Sequence, residues 1–400
     1  MNILQVTNKV PFPARDGGAI ACMNLTKGFS QLGNRVTVLA MNTLKHHVHP
    51  DEIPDEINQL ATFKLVEVPA QINAFAALAN LLFSRKPYNA VRFIDKNFSA
   101  ALVDLISENQ FDIIQLEGLY VCPYIPLIRK YSNATVVYRA HNVEFEIWER
   151  AAKLSRGLKK IYLQNLSKRI KRFETGLLNS YDLLVPITDR DGNILDSLGN
   201  IKDKQVSPTG IDSLAVTPDT SSLEFPSLFH IGSLEWAPNQ EGLLWFIKNC
   251  WTKIHNKYPD LRFYIAGRNA PRWLIDKLNT QGVFFEGEVN DAYQFMNSKA
   301  IMIVPLFSGS GMRIKIIEGM ALGKSIVSTS IGAEGINASD GTNILLANEA
   351  TGFIKAVFNL LEDRDSFERI GRNAGLFIQQ NFDNLVLSKK LIGFYKQYTK

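Results

Sequence analysis

Between Phe307 and Ile336 a Gly309-Ser310-Gly311 turn is followed by Met312, Arg313, Lys315 and Glu318. The glycines on either side of Ser310 let the backbone come close to a ligand, and the free amides of a starting helix attract anions. Arg313 and Lys315 put two positive charges within that turn. Glu318, three residues after Lys315, shares its helix face. Phosphate-seeking amides, two cations and one carboxylate suit a nucleoside diphosphate with its ribose on Glu318. The plainer reading is a Gly-rich turn into a helix, with Lys315 and Glu318 an exposed pair of small energetic value.

Other residues able to do chemistry are spread along the chain. Gly17 and Gly18 close a loop that begins at Asn8, but the full Gly-x-Gly-x-x-Gly dinucleotide signature is missing, which argues against NAD. His141 and Glu144 stand in Ala140-His141-Asn142-Val143-Glu144, directly after a strand. A lone His is often structural, and its place at the carboxyl end of a parallel strand is what favours a functional role. Asp189-Arg190-Asp191 has the Asp-x-Asp form of a metal motif, yet it lies between a strand and a helix expected from Gly192 to Leu198. There aspartates serve as N-caps. No metal and no cofactor are expected.

The elements that must hold these residues alternate between strand and helix. Asn2–Thr7, Arg35–Ala40, Phe63–Val68, Asp112–Leu116, Thr135–Arg139 and Asp182–Ile187 read as buried strands in a first series. Ala19–Gly33 and Tyr88–Asn109 read as helices within it. Ile72–Phe83 reads as an apolar helix, assigned to the core in preference to contact with lipid. The Ser/Thr/Pro/Asp-rich stretch to Pro226 reads as a linker. A second series has strands at Leu228–Ile231, Leu261–Ala266, Val283–Phe285, Ala300–Val304 and Ser325–Thr329. A helix from Gln240 carries the stripe Leu243, Phe246, Ile247, Cys250, Trp251 and Ile254. Gly311–Leu322 is the helix of the Gly-Ser-Gly unit. Two doubly wound Rossmann-like α/β domains facing a cleft are the expected architecture, with residues 1–205 the first domain and 206–381 the second.

Four hundred residues exceed one ordinary core, and 46% hydrophobic with 21% charged residues is normal for a globular enzyme. No apolar run reaches the ~20 residues of a membrane span. Three scattered cysteines give neither a disulfide framework nor metal-ligand spacing, which fits a reducing cytoplasm. The net charge of +5 arises in the first half, where 25 Lys/Arg face 20 Asp/Glu up to Lys204. Nine positive charges lie between Arg150 and Arg172 with no acid among them. They form a solvated helix face or meet an anionic membrane or phosphorylated acceptor. No nucleic-acid motif accompanies them.

Taken in order, the Gly-Gly loop, His141-Asn142-Val143-Glu144, Pro208-Thr209-Gly210-Ile211-Asp212, Phe285-Glu286-Gly287-Glu288-Val289 and Lys315-x-x-Glu-Gly-Met-Ala-x-Gly-Lys-x-Ile-Val327 resemble the GT-B glycosyltransferases of family 4 over essentially the whole chain. That family is retaining and metal-independent. The resemblance implies that Glu318 holds the donor ribose, that Gly17 and Gly18 approach the diphosphate and acceptor, and that His141 contacts the donor sugar. It also implies that the turn Gly287–Val289 binds the base and that a final helix, 382–400, returns to the first, acceptor-side domain. The family's first Glu falls where this chain has Ser310. Its Arg and Lys after the first strand of the second domain are absent from Gly232-Ser233-Leu234-Glu235-Trp236-Ala237-Pro238-Asn239. Arg313 and Lys315 are the substitutes for a leaving diphosphate that needs fixed positive charge.

The expected function is therefore transfer of a sugar from a nucleoside-diphosphate sugar to an envelope glycan or lipid-linked acceptor, as in polysaccharide or lipopolysaccharide biosynthesis. The expected setting is cytoplasmic, with peripheral contact at the inner membrane face. His141, Arg313 and Lys315 are the candidate catalytic residues. Gly17, Gly18, Gly232, Ser233, Arg268, Gly287, Val289, Ser310, Gly311, Met312 and Glu318 are the candidate donor contacts. A nucleotide-sugar 2-epimerase on the same fold, or a non-catalytic sugar-nucleotide or glycan-binding protein, are the alternatives.

Overall fold

The computed structural model describes residues 1–14, 16–213, 215–309 and 311–399; Ser310 lies outside them. The chain divides into two compact units, Met1–Gly210 together with the segment from Asn384 onward, and Ile211–Asp383.

The apolar runs of the first unit form β1 (Asn2–Thr7), β2 (Arg35–Asn42), β3 (Thr62–Glu67), β4 (Ile113–Glu117), β5 (Thr135–Ala140) and β6 (Leu183–Pro186). They make one sheet in the order β3-β2-β1-β4-β5-β6, with every pair parallel. β1 and β4 are the neighbours at which the strand order reverses, which is where doubly wound sheets bind ligands. The central strands β1, β4 and β5 are almost wholly buried and rich in Ile, Val and Leu, as strands covered on both faces are. Buried polar residues interrupt them, among them Gln5, Gln115, Glu117 and Arg139. Register aligns Gln5 with Gln115, Thr7 with Glu117, and Glu117 with Arg139, so the four polar groups gather near the carboxyl end of the sheet.

The helices of this unit include α1 (Gly17–Gln31), α2 (Ala74–Phe83), α3 (Lys96–Glu108), α4 (Glu144–Leu154), α5 (Gly157–Leu177) and α6 (Asp189–Ser197). Three depart from expectation. The helix expected over Tyr88–Asn109 is a short Tyr88–Val91 turn and then α3. Asp95 separates them by accepting from the Asn97 and Phe98 N–H groups at 2.8 and 3.0 Å, an N-cap that starts a new helix. α6 begins at Asp189 because the Thr188 hydroxyl accepts from the Asp191 N–H at 3.0 Å. The two aspartates expected to cap it therefore sit in its first turn, where negative charge suits the helix dipole. α2 is not core at all: Phe75, Leu82 and Phe83 project from the protein.

In the second unit β7 (Glu224–Ile231), β8 (Arg262–Ala266), β9 (Val283–Gly287), β10 (Lys299–Val304), β11 (Ser325–Ser328) and β12 (Leu345–Leu346) run parallel in the order β12-β11-β10-β7-β8-β9. β7 starts earlier than expected. Glu224–Pro226 belong to the strand and not to the linker, and Pro226 is accommodated because β8 pairs only from Ser227 onward. α7 (Ala237–Phe246) continues through a π-helical turn, Ile247–Trp251, into Thr252–Lys257, and all six residues of the expected stripe are buried in the core. α8 (Ile314–Ala321) follows β10. After the second unit, α9 (Asn384–Tyr395) packs on α1 of the first. A Cβ on Gly28 would lie 2.0 Å from the Ser388 hydroxyl, so only glycine permits this contact.

Candidate active site

Parallel strands bring their carboxyl ends to one edge. In the second unit β7, β8, β9 and β10 deliver there Gly232-Ser233, Gly267-Arg268, Gly287-Glu288-Val289 and the loop leading to Arg313. The loops are joined through backbone. Gly267 N donates to Gly287 O at 2.7 Å, Gly232 N to Ala266 O at 3.2 Å, and Leu234 N to Arg268 O at 2.9 Å. A Cβ on Gly267 would meet Gly232 O at 1.9 Å, so the first two loops pass at glycine-only distance. Arg268 is exposed, while Val289 and Met312 rest on the apolar core below.

The helix expected from Gly311 begins at Ile314. Gly311 has φ +80°, in the left-handed region, and Arg313 is the N-cap with φ −89° and ψ 90°. Arg313 therefore flanks the helix and Lys315 alone lies in its first turn. The Arg313 guanidinium is 5.1 Å from the ring centre of Trp236 and donates through Nη1 to Gly311 O. Trp236 in turn lies over Gly309, where a Cβ would be 2.8 Å from its ring. The loop that lacks the expected Arg and Lys thus supplies an aromatic face that holds Arg313 in place. Glu318 pairs with Lys315 at 2.8 Å, as the plainer reading required, and its other oxygen accepts from the Tyr293 hydroxyl at 3.1 Å. Its carboxylate is only 13% exposed. Burial, and then the Glu318 charge, push the Tyr293 hydroxyl well above its ordinary pKa. Tyr293 and Trp236 are additions to the residues nominated from sequence.

The first unit carries its own cavity, of about 270 Å³, at the carboxyl ends of β1, β4 and β5. Lys9, Asp16, Gly18, Glu117, Tyr120, His141 and Glu144 line it. Asp16 caps α1 by accepting from the Ala19 N–H at 3.1 Å, and Lys9 reaches the same carboxylate at 2.5 Å. Burial opposes the charge on Asp16, but Lys9 and that N–H outweigh it and hold its pKa below the ordinary value. Gly17 and Gly18 are the first helical residues. A Cβ on Gly18 would stand 3.3 Å from His141 Nδ1, so glycine there keeps the imidazole edge clear.

Behind His141 lies Glu117, which sequence reasoning did not nominate. His141 Nε2 is 2.6 Å from Glu117 Oε2, and Arg139 Nη1 donates to the same oxygen at 3.2 Å. Gln5 donates to Oε1 at 3.3 Å, as does Gln115, and the Tyr395 hydroxyl on α9 donates to Gln115 Oε1 at 2.6 Å. Burial alone would raise the Glu117 pKa, but the Arg139 charge and the His141 contact reverse this and lower it to about 2. An ionised carboxylate only accepts, so Nε2 carries the proton and Nδ1 is the nitrogen left for the cavity.

A second set of acids lies alongside. α4 starts after Val143, which cannot cap it, and Glu174 from α5 accepts the Glu144 and Phe145 N–H groups at 3.1 and 3.3 Å instead. Burial, with the neighbouring Glu144 adding to it, raises Glu174 to about 8. Burial likewise raises Glu144, against a 2.9 Å hydrogen bond from Tyr120. Asp191 is raised by burial although Thr188 and Arg190 counter it. Among the described residues no three His, Cys, Asp or Glu side chains are grouped to hold a metal ion.

Residues 225–363 match the family described as Glycosyl transferases group 1. Anabaena HepE solved with UDP aligns over 99% of this chain and 100% of its own at TM-score 0.71 and 15% identity. Sucrose-phosphate synthase from Thermosynechococcus elongatus aligns over 100% and 99% at TM-score 0.70 and 14% identity. The fold is that of the GT-B glycosyltransferases. The GT-B likeness to these structures is one of fold, at identities too low to carry substrate. An uncharacterized 44.6 kDa protein in the cps region of Klebsiella pneumoniae is 26% identical over 175 residues, which are 42% of this chain and 45% of that protein. The match thus spans under half of that relative's length.

Proposed function

We propose that this protein is a glycosyltransferase that moves a sugar, with retention, from a nucleoside-diphosphate sugar to an envelope glycan or lipid-linked acceptor. One observation carries the reading. The carboxyl ends of β7 to β10 bring glycine backbone, the Trp236-held Arg313, Lys315 and the mostly buried Glu318 to a single edge. That set matches the parts of a nucleoside diphosphate: Arg313, Lys315 and the first amides of α8 for the phosphates, Glu318 for the ribose hydroxyls, and the Gly287–Val289 turn for the base. HepE, whose fold this chain shares, was solved with UDP and with UDP-glucose, so UDP-sugars are the first donors to test.

The proposed step breaks the bond between the sugar C1 and the β-phosphate oxygen and forms one between C1 and the acceptor oxygen on the same face. The acceptor's proton passes to the departing diphosphate, whose charge Arg313 and Lys315 stabilise as it develops. His141, oriented by Glu117, holds a sugar hydroxyl through Nδ1. No divalent cation is assigned a role.

Thermal shift with a panel of nucleotide sugars identifies the donor, because a ligand that binds only the folded state raises its apparent stability. Turnover of that donor with a glycan or lipid-linked acceptor, unchanged by EDTA, is the expected result. A donor converted to its epimer without acceptor would make the protein an isomerase. Chelation that abolishes turnover, with Mg²⁺ or Mn²⁺ restoring it, would overturn the phosphate assignment.

A further inference from the structure

Apolar side chains ordinarily turn inward, and a helix on a protein surface hides its apolar stripe. α2 does the reverse. Phe75 is 86% exposed, Leu82 67% and Phe83 88%, and Ile72 just before the helix is 78% exposed. Ala76 and Ala79 are exposed as well. Positions 75, 76, 79, 82 and 83 recur at helical spacing, so these residues form one continuous outward stripe.

α5 extends the same surface. Its Leu158 is 85% and its Ile161 63% exposed, while Leu163 and Leu166 on the same helix are buried. Leu158, Ile161, Asn165, Arg169 and Arg172 follow one another at helical spacing and so share a face of α5. Arg169 joins that face to α2: its Nη2 lies 2.9 Å from Asn80 Oδ1, 2.7 Å from Ser84 O and 2.7 Å from Lys86 O. A crevice beside this contact is lined by Arg85, Lys86, Arg169 and Arg172 together with Leu81 and Phe173.

The charge around the stripe is of one sign. No Asp or Glu occurs between Glu67 and Asp95, or between Glu149 and Glu174. Arg85, Lys86, Lys168 and Arg172 are all exposed. Large apolar side chains standing outward, on two segments that carry cations and no acid, match a surface that offers hydrocarbon beneath a layer of negative charge.

We propose that α2 and the first half of α5 dock the protein onto an anionic lipid bilayer. The side chains of Phe75, Leu82, Phe83, Leu158 and Ile161 enter the boundary between headgroups and chains, and Arg85, Lys86, Lys168 and Arg172 pair with lipid phosphates. Among the described residues no helix is long and apolar enough to cross a membrane, so the attachment is in the plane of the surface. A second copy of the chain fits less well, because a two-fold contact through this face would set its cations against each other. Docking needs no nucleotide sugar, so its failure would leave the donor reading standing.

Co-sedimentation of the full chain with phosphatidylcholine vesicles, with and without phosphatidylglycerol, tests the proposal. The protein should pellet with the anionic vesicles and largely release when salt rises from about 0.1 M to about 1 M, as the Debye length falls from ~10 to ~3 Å. F75S/L82S/F83S should bind at least about tenfold more weakly, given what a single large apolar side chain gains on leaving water. Its melting temperature should match that of the wild type, since the three side chains touch solvent. R85Q/K86Q/K168Q/R172Q should lose its preference for the anionic lipid. Wild-type protein that stays in the supernatant, or a serine variant that pellets as well as wild type, would overturn the proposal. A wild-type dimer that the serine variant turns into monomer, with no vesicle binding, would assign the face to a second copy instead.

Discussion

Replacing Glu117 by Gln keeps the shape of the side chain and removes its charge from beneath His141. The cost can be read from either side of the same buried interaction, so the two figures overlap and do not add. Glu117 titrates at about 2 against an ordinary 4.5, a gap worth about 3 kcal/mol at ~1.4 kcal/mol per pH unit. The substitution also leaves Arg139, fully buried and with no hydrogen-bond partner for Nε or Nη2, without its carboxylate. Breaking such a buried pair typically costs ~3–5 kcal/mol. At pH 7 we therefore expect E117Q to lose about 3–5 kcal/mol, a large share of the stability of any domain.

The pH dependence has a definite sign. A carboxylate whose pKa is depressed in the folded state contributes fully above its unfolded value, and that contribution is lost as pH falls from 4.5 toward 2. The gap between wild type and E117Q should accordingly be full at neutral pH and shrink below pH 4.5. Urea unfolding followed by hydrogen exchange in peptides of β4 and β5 confines the measurement to the first unit. Equal midpoints at pH 7 would refute the reasoning, as would a gap that acid leaves unchanged.

Three further outcomes are expected. E318Q should weaken donor binding by about 1–3 kcal/mol, the range for a hydrogen bond to a charged group, and an unchanged dissociation constant by calorimetry would reduce Glu318 to the partner of Lys315 and Tyr293. H141A should lower kcat far more than it lowers the melting temperature, whereas early melting with normal specific activity would make the imidazole a structural group. W236L should weaken donor binding roughly tenfold by releasing Arg313 from an aromatic face worth up to ~2 kcal/mol, and wild-type affinity in that variant would show that Arg313 needs no such support.

The parallel architecture was legible because runs such as Ile113-Ile114-Gln115-Leu116 are apolar on both faces and are punctuated by glycine turns. Lys315 and Glu318 could be paired from spacing alone, since they are a turn apart. Other parts of the site had no local signature. Gln5 and Glu117 meet across 112 residues of chain, and Tyr395 reaches Gln115 across 280, so nothing nearby in sequence marks any of them as partners. Trp236 and Arg313 belong to loops after different strands, and only the strand order makes them neighbours. The misassignment of α2 has a simpler cause. A run of Ala, Leu and Phe has the same periodicity whether a core or a solvent lies beside it, and periodicity cannot identify the neighbour.

α9 sets a timetable for synthesis. Leu391, Ile392, Phe394 and Tyr395 complete the core around Ile3 and Phe29, yet they are made only after the whole of Ile211–Asp383. At ~5–20 residues per second a ribosome needs on the order of 10–35 s to produce that intervening unit. Through this interval no residue of α9 can fill the groove beside α1 or bring the Tyr395 hydroxyl to Gln115. The second unit, contiguous in the chain, can close first. The earliest residues translated thus finish folding among the last, and His141 acquires its full backing only when the helix has left the exit tunnel.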